Sequence, residues 1–316
     1  VANVTIKAEQ IIRMSRLLLQ REIVLPQLVW RDFGKDDFVY AKNDTVTLSV
    51  PALMKARRRT LRSHTPLIFD EFRETSVDVK VDQHVYKGIR VTDENLTLDI
   101  KSFAEQVLQP EIRSVAEELE EVVAEALEAA AAASVFDTIP FDASDDPYDV
   151  LVDARKAMND ANLPMSDRIF VMGSTVEAAF LKNDHFKRAD YIGDAQANNA
   201  LRDAQIGGRV AGFTVVQSNA LEPTQAFAYH KTAVAFAAFA PDVPMGASAG
   251  SKVQSQGLGM RYIRDYDPRD EDGPADRSLV DTFAGAKPVN DWVDPEDSAS
   301  NEFNRRIVPI EFFENS

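Results

Sequence analysis

The residues whose types could do chemistry are few, and their spacing serves chemistry poorly. Arg168 to Met172 reads as a short buried strand that runs through Gly173 and Ser174 into a helix. Strand, glycine, serine, helix is the order of a nucleophile elbow, but the second glycine of G-x-S-x-G is missing and no histidine is placed as its base. Ser174 with Glu177 fits a capping box instead. Asp265 to Arg277 is the densest cluster of acids, yet a calcium loop counted from Asp265 would put Arg269 at the fifth position and Asp270 where glycine is needed. A polar hairpin loop is the better reading. His64, His84, His185 and His230 are scattered without ligand spacing, and there is no cysteine for a thiolate site, a thiol nucleophile or a disulfide. Gly207, Gly208 and Gly212 do not match G-x-G-x-x-G. No catalytic residue, metal site or cofactor is therefore expected. The enzyme alternative is a soluble hydrolase using Ser174 or an acid pair from Asp265 to Asp272.

The elements that would position such residues are organised around one stretch, Ser102 to Ser134, which reads as a helix spanning roughly 50 Å at 1.5 Å per residue. Val107, Leu108, Ile112, Val115, Leu119, Val122, Ala126 and Ala130 fall on one stripe, so the helix needs a partner surface. Ser102 and Glu105 form a capping box at its start, and Pro110 predicts a bend or a fresh start with proline near N1. The other face carries Glu105, Glu111, Glu117, Glu118, Glu120, Glu121, Glu125 and Glu128 against Arg113 alone. That is either a solvated acidic face or a surface awaiting a basic partner.

The 316 residues suffice for a sizeable core in two domains or one elongated domain with arms. With 51 acids against 35 bases the net charge is −16, which argues against nucleic-acid binding. No apolar run is long enough to span a membrane, and no signal peptide is visible. Residues 5 to 22 read as an amphipathic helix that breaks at Pro26. Phe38 and Tyr40, then Thr45 to Val50, alternate as a strand; Val77 to Val91 reads as its return. Between them Ala52 to Glu74 is a long segment holding Lys55, Arg57, Arg58, Arg59 and Arg62, a basic tip suited to a carboxylate-rich protein surface. Further on, Asp145 or Asp146 caps a helix with Pro147 at N1, and Asn198 to Ala204 reads as a short helix. Arg209 to Gln217 is a strand pair turning on Gly212, and Thr232 to Phe239 and Leu258 to Tyr266 are strands. Ser278 to Phe283 is expected to be the last strand, ahead of a tail that ends in the apolar Ile307, Val308, Ile310 and Phe312.

In this order the parts resemble the major capsid (coat) protein family of tailed bacteriophages. NDTVTLSVPALMKARRR (43 to 59) is similar to that family's extended-loop entry and VDVKVDQHVYKGIRVTDENL (77 to 96) to the return into its spine helix. YDVLVDARKAMNDANLPMSDRIFVMGS (148 to 174), GGRVAGFTVVQSNAL (207 to 221), HKTAVAFAAFAP (230 to 241), MRYIRDYD and LVDTFAGAKPV are similar to its axial and return segments. The resemblance implies an α+β fold: an N-terminal arm (1–40), an extended β-hairpin loop (41–91), a peripheral domain with the spine helix (92–141), an axial α/β domain (142–257), and return strands of the peripheral domain with a C-terminal tail (258–316).

It also implies a structural protein that self-assembles as pentamers and hexamers into an icosahedral shell around double-stranded DNA. The shell is part of the virion, assembled in the bacterial host cytoplasm, and holds its DNA without sequence-specific binding or a membrane. Inter-subunit contacts are expected between Arg57, Arg58, Arg59 and Arg62 of the loop and Glu117, Glu118, Glu120 and Glu121 of a neighbour. Lys55, the only lysine from Asn43 to Glu74, is the candidate for a covalent cross-link. Because the arm begins almost at Val1, a separate scaffolding protein is expected unless Val1 is itself a cleavage product; portal and decoration proteins are further expected partners. An encapsulin-like bacterial compartment shell is the alternative that shares the fold.

Overall fold

The periodic stretch folds into the rod around which the other elements are laid. In a computed structural model the described residues are 24–31, 45–50, 58–61, 66–67, 69, 75–98, 103–142, 144–183, 209–255, 258–268, 274–292 and 302–313. The helix expected over 5 to 22, Phe38 and Tyr40, Ser102 of the capping box, the helix at Asn198 to Ala204 and the Gly207–Gly208 turn lie outside them.

Strands β1 (Thr45–Val50) and β2 (Thr75–Lys80) pair antiparallel as the ribbon at the base of the long loop, with Thr45 opposite Lys80. Strand β3 (Gln83–Thr92) then leads through a short helix α1 (Asp93–Leu98) to a π-turn (Ala104–Leu108) and helix α2 (Gln109–Ala132). The defect expected at Pro110 is met by that π-turn: a wider turn before the proline relieves its ring of the clash with the carbonyl four residues back. The predicted stripe is buried throughout, from Val107 and Leu108 to Ala126 and Ala130. Two of the acids expected on the opposite face are not there. Glu111 is 0 % exposed and Glu120 is half-buried, because α2 is covered over a wider arc than the stripe alone.

After β4 (Ile139–Asp142), helix α3 (Pro147–Asp160) starts as the sequence predicts, with Asp146 accepting from the Tyr148 amide and Leu151, Ala154 and Met158 inward. Strand β5 (Arg168–Met172) and helix α4 (Ser174–Lys182) follow. Then come β6 (Arg209–Val210), β7 (Phe213–Gln217), β8 (Gln225–His230), β9 (Val234–Phe239) and β10 (Ala249–Ser255). The chain ends with β11 (Leu258–Asp267), β12 (Ala275–Pro288), β13 (Asp291–Trp292), β14 (Glu302–Phe303) and β15 (Ile307–Phe313). The β6–β7 turn uses positive φ at both Ala211 and Gly212, as a two-residue hairpin of this twist requires.

These strands make a five-stranded sheet, β10-β11-β12-β3 with β9 also on β12, and a six-stranded sheet, β4-β15-β8-β5-β7-β6. The first core lies between α2 and the five-stranded sheet and takes in one face of the other: Ile169, Val171, Phe227, Tyr229 and Ile307. Phe170, Met172, Ala226, Ala228, Val308 and Ile310 alternate to the opposite face, under α3 and α4. A sheet covered on both sides explains why RIFVM is unbroken in apolar character. A third cluster seats Val77 and Val79 of the ribbon on Ala235 and Ala237 of β9, beside Trp30, whose amide and carbonyl bond to Val234 and Phe236.

The last strand is not the one expected. β12 runs past Phe283 to Pro288, and β15 follows it into the middle of the six-stranded sheet, parallel to β4 and antiparallel to β8. Its apolar residues face both ways, so only a slot between two cores satisfies them. β9 and β10, within the stretch expected to be axial, belong instead to the five-stranded sheet.

Candidate assembly surfaces

The positions that could have carried chemistry are committed elsewhere. Ser174 is the first residue of α4, not its cap: Gly173 holds that position and makes no side-chain capping bond. The free N–H groups of Thr175 and Val176 donate instead to the Pro223 carbonyl, at 3.0 and 3.3 Å. The predicted Ser174–Glu177 box is thus replaced by a backbone contact, and the amides an oxyanion hole would use are occupied. Gly173 is required there, because a Cβ would lie 2.2 Å from the Glu222 carbonyl oxygen.

At the hairpin between β11 and β12 the described acids are held singly, while Asp270, Glu271 and Asp272 lie outside the described residues. Asp267 pairs with Arg277 at 3.0 Å, Asp276 with Arg264, and the Ser248 hydroxyl bonds Asp265 and holds its carboxyl below the usual range. Among the described residues no three His, Cys, Asp or Glu side chains converge as metal ligands. His84 bonds to Asp281 and His230 to Thr232, each at 2.9 Å. His64 and His185 lie outside the described residues.

What α2 presents is a one-sided acidic ridge. Glu117, Glu118, Glu121, Glu125 and Glu128 are exposed, and Arg113 offsets only Glu117, at 2.9 Å. Glu128 is pushed above the ordinary carboxylate range by desolvation first, then by Glu222, Glu121 and Glu125. Like charges along the ridge therefore repel, and a cation laid there would relieve them.

Glu120, expected with them, is turned to the other side. Its Oε1 accepts from the backbone amides of Val24 and Leu25, the latter at 2.9 Å, and its Oε2 from Ser218 at 3.3 Å. Burial raises its pKa despite those bonds. The residue joins α2 to residues 24–31 and to the loop after β7, so it is a bracket within the subunit. Sequence reasoning missed this because nothing local distinguishes Glu120 from Glu121.

At the loop, Arg58 and Arg59 are exposed, whereas Lys55, Arg57 and Arg62 lie outside the described residues. Beside them Leu61 is 93 %, Leu67 62 % and Phe69 87 % exposed. The signal for these apolar positions was in the sequence, as large side chains within a basic segment. The exposed side chains among the described residues are thus both cationic and apolar, and water solvates the apolar ones poorly.

Comparisons with known proteins agree on the family and the fold. A family model described as phage capsid protein matches residues 74–273, well over half of the chain. No curated protein matches in sequence. A solved structure from Mycobacterium phage Che8 is similar, with a TM-score of 0.63 at 20 % identity over 91 % of this chain and 90 % of that one. The capsid of cyanophage P-SCSP1u is similar at a TM-score of 0.60 and 12 % identity, covering 93 % and 89 %. The capsid of Ralstonia phage GP4 follows at 0.57 and 11 %, covering 87 % and 85 %. At these identities the structures establish the fold, the family match establishes the lineage, and the chain belongs to the phage capsid protein family, whose members are structural, non-enzymatic subunits that self-assemble into the shell of the virion.

Proposed function

We propose that this chain assembles as homo-pentamers and homo-hexamers into an icosahedral shell around a double-stranded DNA genome, with the basic loop of each copy laid over the acidic ridge of the next. The observation that carries the contact is the uncompensated ridge on α2, where desolvation first, and then Glu222 nearby with Glu121 and Glu125 of the ridge, raise the pKa of Glu128. Arg58 and Arg59 supply the opposite charge, with Arg57 and Arg62 beside them in sequence. A single exposed ion pair contributes about 0 to 1 kcal/mol, while burying a large apolar side chain contributes about 1.5 to 3. Leu61, Leu67 and Phe69 therefore supply affinity and the arginines direct the approach.

The six-stranded sheet with α3 and α4 forms the axial unit about which the copies gather. The five-stranded sheet with α2 forms the peripheral unit, residues 1–40 the arm and 41–91 the extended loop, whose returning strand β3 joins the peripheral sheet. A net charge of −16 suits a wall that must not adhere to packed DNA and encloses it without sequence-specific binding. A scaffolding protein, a portal and a decoration protein are the further partners, and assembly takes place in the host cytoplasm.

Changing Arg57, Arg58 and Arg59 together to Glu should abolish shells seen by sedimentation and electron microscopy. Adding Glu117→Lys, Glu118→Lys and Glu121→Lys should restore them. Normal shells from the triple arginine variant would overturn the loop contact and leave the shell reading intact. Failure of the unaltered chain to form closed particles, even with its scaffolding protein, would overturn both.

A further inference from the structure

Glu111 is the most deeply buried acid on α2, and shell contacts do not account for it. It lies in the first turn of the helix, directly after the π-turn and Pro110, and is 0 % exposed. Its Oε2 accepts from the Ser278 hydroxyl of β12 at 2.7 Å, and the Ile89 amide of β3 also donates to the carboxylate. Its Oε1 is buried with no hydrogen-bond partner, as is the hydroxyl of Tyr262 on β11. One side chain thus touches the sheet where β3, β11 and β12 lie side by side.

We propose that Glu111 is a proton-operated latch between the start of α2 and the five-stranded sheet: its neutral carboxyl holds the helix start down, and its ionisation loosens that contact. The groups that face it do little to balance an anion. From β3 the nearest charge is Lys87, which is exposed to water; from β11 come Tyr262 and Arg264, and from β12 Asp276. Arg264 and Asp276 are spent on each other, and the Arg264 guanidinium lies 4.5 Å from the ring centre of Phe103, just ahead of the π-turn. Arg90 and Arg277, one residue along the β3–β12 register from Ile89 and Ser278, alternate to the opposite face.

Burial therefore outweighs the two hydrogen bonds and the distant lysine, and the carboxyl is pushed up from 4.5 to about 7. Between those values the closed form keeps a proton that an opened, solvated form gives up. The closed form is accordingly favoured most below the ordinary glutamate range, loses about tenfold per pH unit as pH rises, and levels off above about 7. Over the whole interval the opening equilibrium changes by about 300-fold. The latch lies where β3, which continues from the ribbon of the long loop, passes through α1 into α2. Its state sets how firmly the base of that loop is tied to the helix.

Amide hydrogen exchange over residues 103–112, corrected for intrinsic rates, tests this on the unassembled chain between pH 4.5 and 8. The unaltered protein should show an opening constant that climbs about tenfold per unit and flattens near pH 7, while residues 226–230 of β8 show no such climb. Glu111→Gln should remove the climb and keep the segment protected at pH 8. Ser278→Ala, which deletes a bond favouring the anion, should move the plateau to higher pH. A flat profile in the unaltered chain would overturn the latch, as would an unchanged climb in Glu111→Gln or an unmoved plateau in Ser278→Ala. None of these readings requires a shell.

Discussion

Replacing Asp281 by alanine should be among the most damaging single changes in the five-stranded sheet. Asp281 is 0 % exposed on β12, directly opposite Arg261 of β11. The two make a bidentate pair, with Arg261 Nε at 2.9 Å from Oδ1 and a second guanidinium nitrogen on Oδ2. His84 Nε2 adds a bond to Oδ2 at 2.9 Å, and Arg261 also reaches the Asp242 carbonyl. The Arg261 side chain is only 11 % exposed, so alanine at 281 leaves a guanidinium buried without its counter-charge. Removing one partner of such a pair costs about 3 to 5 kcal/mol. His84 is half in water and recovers its bond there, so it adds little. At about 2.1 cal/mol/K per residue the unfolding entropy of this chain is about 0.7 kcal/mol/K, so the melting temperature should fall by about 4 to 7 °C. Trp30 and Trp292 report unfolding by fluorescence, and both proteins must be compared in the same state of assembly. Asp281→Ala combined with Arg261→Met should recover most of the loss, because no buried charge then remains. A fall under about 1 °C, or a double variant no better than the single one, would refute this reasoning.

Gly173→Ala would press a Cβ against the Glu222 and Pro223 carbonyls, at 2.2 and 2.7 Å, and should cost about 1 to 3 kcal/mol by urea midpoint; an unchanged midpoint would mean that the 222–223 turn yields freely. Glu120→Ala should release the Val24 and Leu25 amides and cost about 1 to 3 kcal/mol, read as faster exchange at those two positions. Arg306→Lys keeps the charge but loses the fork that spans both Asp291 oxygens and the Thr232 hydroxyl, so stability should drop by about 1 to 3 kcal/mol; a neutral result would show that charge alone suffices.

Where a position is set by its neighbours along the chain, it was legible. The stripe from Val107 to Ala130, the Asp146 cap with Pro147, the turn at Gly212 and the alternation of β1 against β2 all follow from periods and local bonds. The resemblance to tailed-phage coat proteins rested on the same features taken in order. The basic loop and the acidic helix were legible as compositions, and Arg58 and Arg59 stand exposed.

Tertiary structure alone decided which glutamates are surface and which are not. Glu111 and Glu120 adjoin stripe residues Ile112 and Leu119, and they turn inward because Ser278 and Ile89, and in turn Val24, Leu25 and Ser218, meet them from strands and loops far away in sequence. It also gave the cap of α4 to the Pro223 carbonyl and set β15 between β4 and β8. Chain periodicity states that a residue is apolar or charged and which way it faces on its own element. Whether that direction leads to solvent or to a partner depends on elements brought together by folding, and no local pattern encodes their distance.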